Sequence, residues 1–262
     1  MKVFKKILIF LGYLSLTGIL VAYFYFATVL VYKKNQTRCQ EISIHIRDSA
    51  EIPLTRTHEV LAYLGKKGWI LPGKDFSEID LYRLEKDIEL FGAVRQCNAV
   101  KNINGVLRLD IWQHTPLFIL ESHSGVFYVT EEGFVFPLEK KEKMPLLTVH
   151  GNVPFLHNPV FRGKIDSTDV WLQDAIPFVS YICGNSFWAE KTQSIRVEAP
   201  EDIYILPKEN LILSIGSTNH FIDKMNKLWE FYRVLEPRGG EARYELVDAR
   251  FKDQLVCKHR KN

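Results

Sequence analysis

Hydrophobic and polar positions fall into three regimes along this chain. Over residues 7–32 apolar side chains run on without an acid, a base, Asn or Gln, and lysines stand at both ends. Roughly 20 helical residues cross a bilayer core of about 30 Å, so this run predicts a transmembrane helix. Past it the period drops to two. Ile42, Ile44 and Ile46 alternate with Ser43, His45 and Arg47, the pattern of a half-buried strand. Pro53 is expected to end that strand, and Thr55 or Thr57 to cap a short helix that buries Val60, Leu61 and Leu64 and stops at Gly65 and Gly68. Leu81, Leu84, Ile88 and Phe91, at spacings of three and four, predict a second helix closed by Gly92. Two strands follow, residues 94–100 and the stretch carrying Leu107, Leu109 and Ile111, joined by the hairpin dipeptide Asn104-Gly105. Strand–helix–helix–strand–strand makes a self-contained α+β unit, one sheet with two helices on one face.

From Pro116 onward strands dominate. Residues 118–120 and 126–129 flank a turn at Ser124-Gly125, and Glu131, Glu132 and Gly133 turn into residues 134–136. A loop with Pro145, Gly151, Pro154 and Pro159 leads to a helix over about 167–181. Strands are predicted at 194–198, 203–206 and 211–215. A helix over 219–235 buries Phe221, Met225, Leu228, Tyr232 and Leu235, and one last strand runs from about 244 to 257. The fold class is therefore α+β. The predicted division is a tail at 1–6, an anchor at 7–32, the βααββ domain at 39–115, a mainly β domain at 116–258 and a tail at 259–262.

Composition narrows the function. The chain has 262 residues, 47% apolar and 25% charged, with a formal charge of +3. That is a globular balance, and no basic run interleaves with aromatics, which argues against a nucleic-acid partner. The four cysteines, Cys39, Cys97, Cys183 and Cys257, form no C-x-x-C pair. A dense disulfide framework and a cysteine-based zinc site are excluded, while one or two bridges outside the cytoplasm stay open.

The apolar run is longer than the 7–15 residues usual in a cleaved signal peptide. Ala22 and Ala27 sit among Tyr23, Phe24, Tyr25 and Phe26, not in an Ala-x-Ala cleavage pattern. A retained anchor is expected. Lys2, Lys5, Lys6 and the amino terminus before it barely outweigh Lys33, Lys34 and Arg38 after it. Orientation follows instead from the short leading tail and the long body, because long domains translocate largely regardless of charge. The N-terminus is expected inside and the body outside.

Motifs for chemistry are scarce. The eight histidines show no H-x-x-x-H or H-E-x-x-H spacing, and no G-x-S-x-G, S-x-x-K or P-loop occurs. Glu131 and Glu132 belong to a turn, where adjacent side chains point apart. No catalytic, cofactor or metal residue is assigned, and no small-molecule substrate is expected.

An anchor, a βααββ unit and a β domain, in this order, resemble the bacterial cell-division FtsQ/DivIB family, whose first extracytoplasmic unit is a POTRA domain. Val94, Val100 and the stretch Gly105-Val-Leu-Arg-Leu-Asp-Ile-Trp-Gln-His-Thr-Pro116 resemble that family's hairpin and its Gln-x-x-Pro ending. Gly125-Val-Phe-Tyr-Val-Thr-Glu-Glu-Gly-Phe-Val-Phe136 resembles its strand, acidic-Gly turn and next strand. Met144-Pro-Leu-Leu-Thr148 ahead of Gly151 resembles its Pro-hydrophobic-Gly approach to the β domain, and Leu246-Val-Asp-Ala-Arg-Phe-Lys-Asp-Gln-Leu-Val256 its terminal strand. The chain departs from the family in its very short leading tail and in Phe251, where an aromatic hydroxyl is common.

The resemblance implies a non-catalytic scaffold at the division septum, anchored in the cytoplasmic membrane. Its implied partners are FtsB/DivIC-like and FtsL-like single-span proteins, and its role is to help control septal wall synthesis. A membrane-tethered extracytoplasmic enzyme or chaperone is the alternative. In the family the terminal strand docks a strand and helix from its partner, which maps the contact onto Arg250, Phe251, Lys252, Asp253, Gln254 and Leu255. The alternation agrees in part. Val247, Ala249, Phe251, Leu255 and Cys257 share an apolar parity, and Asp248, Arg250, Lys252, Gln254 and Lys258 the polar one. On that reading Arg250 is replaceable without loss of stability, and proline at Lys252 removes a donor that an added strand needs. A second docking edge, either residues 42–46 or 94–100, is expected in the POTRA-like unit.

Overall fold

The computed structural model describes residues 2–36, 38–48, 54–137, 144–235, 237 and 239–260, with backbone alone for 2–11 and 33–36. Pro53 lies outside the described residues. Contacts divide the chain into two compact units, Met1–Gln113 and His114–Asn262.

The first unit opens with helix α1, Lys2–Gln36. Within it Gly12–Tyr32 has a mean hydropathy of 2.0 and none of it is buried, so it is long and apolar enough to cross a membrane. Strand β1 (Glu41–Ile46), helices α2 (Thr57–Lys66) and α3 (Leu81–Glu89), and strands β2 (Val94–Lys101) and β3 (Val106–Gln113) follow. The sheet order is β1-β3-β2, with β1 parallel and β2 antiparallel to β3. Leu107, Leu109 and Ile111 of β3 are fully buried against Val60 and Leu64 of α2 and Leu84 and Ile88 of α3, so both helices cover one face.

Local chemistry fixes the helix ends. Neither threonine caps α2; the cap is Arg56, whose backbone N–H donates to Glu59 Oε2 at 3.2 Å. Thr55 is instead drawn inward, its N–H donating to Gln113 Oε1 at 2.7 Å. Gly68, at φ +81°, closes α2: Trp69 N–H donates to Leu64 O and Gly68 N–H to Gly65 O. Asp80 caps α3, accepting from Arg83 N–H at 3.1 Å. That helix also shields a sheet edge. Glu85 Oε1 accepts from Ala99 N–H at 2.7 Å and Glu89 Oε1 from Cys97 N–H at 3.4 Å, so α3 occupies two outward donors in the middle of β2.

The second unit is one ten-stranded sheet with helices on one face. Its strands are β4 (Pro116–Ser122), β5 (Gly125–Thr130), β6 (Phe134–Pro137), β7 (Leu147–Gly151), β8 (Gly163–Lys164), β9 (Thr192–Ala199), β10 (Asp202–Pro207), β11 (Ile212–Gly216), β12 (Tyr244–Asp248) and β13 (Val256–His259). The helices are α4 (Val170–Gly184), α5 (Ser186–Lys191) and α6 (Phe221–Leu235). Strand order is β13-β12-β11-β10-β9-β7-β4-β5-β6-β8. Phe118, Phe127, Val197, Ile205 and Leu213 meet Phe178 and Ile182 of α4, Trp188 of α5 and Leu228 and Tyr232 of α6 in one core. The loop expected around Gly151 contains β7, which runs parallel to both β4 and β9. One expectation fails here. The last strand is not continuous from 244 to 257 but is a hairpin, β12 and β13, broken at 249–255.

All four cysteines are free thiols. Burial, joined by the charges of Glu85, Glu89 and Asp110, pushes the Cys97 thiol up to about 12. Burial likewise raises Cys39, Cys183 and Cys257. At pH 8 only about one Cys97 thiol in ten thousand is then ionised. Iodoacetamide is expected to leave Cys97 unmodified in the native protein over an hour and to label it fully in urea, as read by intact mass.

Candidate partner interface

Sequence places six candidate contact residues on a strand; the structure places them in the connection between β12 and β13. The break has identifiable causes. Arg250 folds back onto Asp248, donating from Nε to Oδ1 at 2.9 Å and Oδ2 at 3.0 Å, from Nη2 to Oδ2 at 2.6 Å and from its backbone N–H to Oδ1 at 3.0 Å. Lys227 of α6 holds the next turn, its Nζ donating to Ala249 O at 2.8 Å and Phe251 O at 2.5 Å. Asp253 then takes φ +59°, the left-handed conformation that reverses the chain. A backbone held this way cannot continue the ladder.

The parity expected of a strand fails with it. Val247 and Ala249 are buried, but Phe251 is 44% exposed. Leu255 packs half-buried on the core beside Cys257. Arg250 Cγ and Cδ lie where a Cβ on Gly216 (φ +66°) would meet them at 2.9 Å, so the guanidinium stem needs a glycine beneath it. Arg250 Nη1 also stands 3.9 Å from Asp202 Oδ1.

The Asp248 side chain is 7% exposed. Burial acts to raise its carboxyl, yet the side-chain and backbone hydrogen bonds from Arg250 outweigh burial and hold it below the ordinary value of 3.8. Arg250 is thus a structural partner, contrary to the expectation that it is freely replaceable. Arg250→Ala leaves a buried carboxylate short of donors, a loss of about 1–2 kcal/mol once the exposure of the guanidinium is allowed for. Because the folded-state pKa is depressed, this stability is present above the unfolded value and is lost as pH falls through the folded one. The gap between wild type and Arg250→Ala in urea midpoints is expected to be full at pH 7 and to shrink below about pH 4.

Two hollows border the connection. A cavity of about 950 Å³ lies between it and the start of α6, lined by His220, Asp223, Lys224, Lys227 and residues 249–253. A shallower apolar groove of about 560 Å³ runs between α6 and β13, lined by Phe231, Val234, Leu235, Asp253, Gln254, Leu255 and Cys257. Among the described residues, no group of three or more His, Cys, Asp or Glu side chains is placed to hold a metal ion.

Beside that groove β13 is the last strand of the sheet. Ala249 N–H donates to Ser214 O at 2.8 Å, so the odd residues of β12 face β11. Leu246 and Asp248 therefore face β13, opposite Lys258 and Val256 respectively. Arg260 N–H, donating to Arg243 O at 2.9 Å, continues the same alternation. By elimination Cys257 and His259 turn their backbone N–H and C=O groups toward the open edge, and Leu255 its C=O, which opposes Val256 N–H across their peptide bond. Sequence reasoning missed Cys257 and His259 as edge residues, and Lys227 as the clamp. The D-x-R spacing of Asp248 and Arg250 was the one available sign of the break.

Residues 115–258 match the family model described as FtsQ/DivIB, C-terminal related. Residues 37–112 match the POTRA-like domain model. No curated protein matches the chain.

Proposed function

This chain belongs to the FtsQ/DivIB family of cell-division proteins, and from that premise we propose that it is a non-catalytic scaffold binding FtsB/DivIC-like and FtsL-like single-span proteins at its C-terminal hairpin. The family gives a cell-division role, and the apolar helix over Gly12–Tyr32 suits a single membrane anchor. The finer reading puts the N-terminus inside, both units outside the cytoplasmic membrane at the septum, and the function in control of septal wall synthesis.

One observation carries the reading: the edge of β13, which pairs with no further strand among the described residues, lies directly beside an apolar groove on α6. An incoming strand adds to Leu255, Cys257 and His259 through main-chain hydrogen bonds, and an adjoining amphipathic helix lays its apolar face on Phe231, Val234 and Leu235. Phe251, Lys252, Asp253 and Gln254, at the hairpin's tip, then select the partner by side-chain contact, while Arg250 holds the tip in shape. Affinity capture of the full chain from crosslinked membranes, followed by identification of captured chains, tests this. Small single-span division proteins are the expected catch, and their absence would refute the proposal.

A further inference from the structure

The POTRA-like unit has two sheet edges, and they are treated differently. On β2 the carboxylates of Glu85 and Glu89 already accept from the outward N–H groups of Ala99 and Cys97. On β1 nothing comparable occurs among the described residues. Glu41 N–H donates to Gly105 O at 3.3 Å and Arg47 N–H to Ile111 O at 2.9 Å, so the odd residues face β3. The N–H and C=O groups of Ile42, Ile44 and Ile46 therefore face the open side. Ile42 and Ile44 are only partly buried on the core, as expected for side chains missing a neighbouring strand.

The sequence of this edge reads Glu41-Ile-Ser-Ile-His-Ile-Arg47, and it is complementary to its own reverse. Laid antiparallel to a second copy and centred on Ile44, it sets Glu41 opposite Arg47, Ser43 opposite His45, and Ile42 opposite Ile46. The backbone agrees with the side chains. Centring on Ile44 makes Ile42–Ile46 and Ile44–Ile44 the hydrogen-bonded pairs, which are the residues whose amides face outward. Ser43–His45 and Glu41–Arg47 then become the close non-hydrogen-bonded pairs. The Ser43 Oγ to His45 Nε2 contact at 2.9 Å within one strand is exchanged for two between strands. Arg47 Nη2 lies 2.8 Å from Asp110 Oδ1, and its remaining donors are available to Glu41 of the second copy.

We infer that β1 is a homodimer edge, pairing with β1 of a second copy of this chain about a two-fold axis through Ile44. Such an isologous contact with its axis along the membrane normal puts both anchors in one bilayer. Two six-residue strands, each with Arg47 beyond its end, bury far less than the roughly 1,200 Å² of a stable standard interface, so the pair depends on the concentration that a shared membrane supplies.

The test uses the full chain in phosphatidylethanolamine–phosphatidylglycerol vesicles. One population carries Ser43→Cys and the other, differently tagged, His45→Cys. Residues 43 and 45 of opposed strands have Cα atoms about 4.5 Å apart, within disulfide range, whereas 43 and 43 stand about 8 Å apart, outside it. Mild oxidation is expected to give at least ten-fold more crosslinked dimer in the mixture than in either population alone. Energy transfer between labelled wild-type chains should be lost with Ile44→Pro, which removes the central outward donor. Glu41→Arg, a surface change that sets like charges opposite each other, covers the case in which Ile44→Pro unfolds. The inference is overturned by a mixture that crosslinks no better than its components, by energy transfer that survives Glu41→Arg at full strength, or by crosslinking that appears only when a different protein is added.

Discussion

Cys257→Pro is expected to abolish partner capture while the body keeps its fold. The Cys257 amide faces the open edge of β13, whereas its neighbours Val256 and Lys258 face β12. Proline therefore removes no bond from the existing sheet, and edge strands are where sheets tolerate it. For an added strand the change falls at the centre of the new ladder. One partner carbonyl is left without a donor, a loss of about 1–3 kcal/mol, and the pyrrolidine ring stands where the incoming backbone must lie. Together these effects put capture from crosslinked membranes below detection. The thermal midpoint should fall by no more than about 4 °C, the shift that about 1 kcal/mol produces in a body of this size. Proline at Lys252 is the weaker experiment, because that residue lies in the turn and carries no ladder bond. Normal capture by folded Cys257→Pro protein would show that the docking strand lies elsewhere.

Gly151→Ala is expected to be among the most damaging single-methyl additions in the chain. Gly151 ends β7 with φ +108°, a conformation that L side chains rarely adopt, and a Cβ there would run into the backbone carbonyl of Val197 on β9. The left-handed penalty is about 1–2 kcal/mol, and forcing backbone apart in a packed region adds about 1–3 kcal/mol. The strands cannot separate freely, because the next residue's amide, Asn152 N–H, donates to Val197 O at 2.7 Å. A loss of about 2–5 kcal/mol in urea unfolding follows. Gly184→Ala is the control: an added Cβ there has no neighbour within 4 Å, and its effect should stay within about 1 kcal/mol. Equal urea midpoints for the two variants would refute the steric account.

The two substitutions also mark where sequence is legible. β1 and the faces of α2 and α3 were readable because each buries one side against a single core, so period two and period 3.6 survive in the residues themselves. The Asn104-Gly105 turn was readable from its own chemistry, with Gly105 at φ +80°. The β12–β13 break was not. Its alternation runs on through Ala249 and Phe251, and the signals that end the strand are a salt bridge to Asp248, a lysine clamp from α6 and a left-handed Asp253, none of which is a Gly or Pro. Helix α5, Ser186–Lys191, is too short to show a period. From sequence alone β7 reads as part of a loop, because its five residues lie among prolines and its parallel pairing with β4 and β9 depends on chain far away in sequence. The candidate contact residues lie on the tip of a hairpin and not along a strand, a difference that no alternation of residues could have shown.

The placement of β7 also orders events in time. The strands on one side of it, β4, β5, β6 and β8, all precede α4, and β4 to β6 pair by short hairpins; those on the other side, β9 to β13, all follow α5. Among the described residues the two halves of the sheet are joined through this five-residue strand. Local antiparallel pairs form early, and parallel pairs between distant segments wait for the loop between them to close. The strand at the open edge, β13, leaves the ribosome after the nine others of its sheet. The edge proposed for docking therefore exists only on a chain in which the whole sheet has been made, and a partner that recognised it would pass over partial sheets.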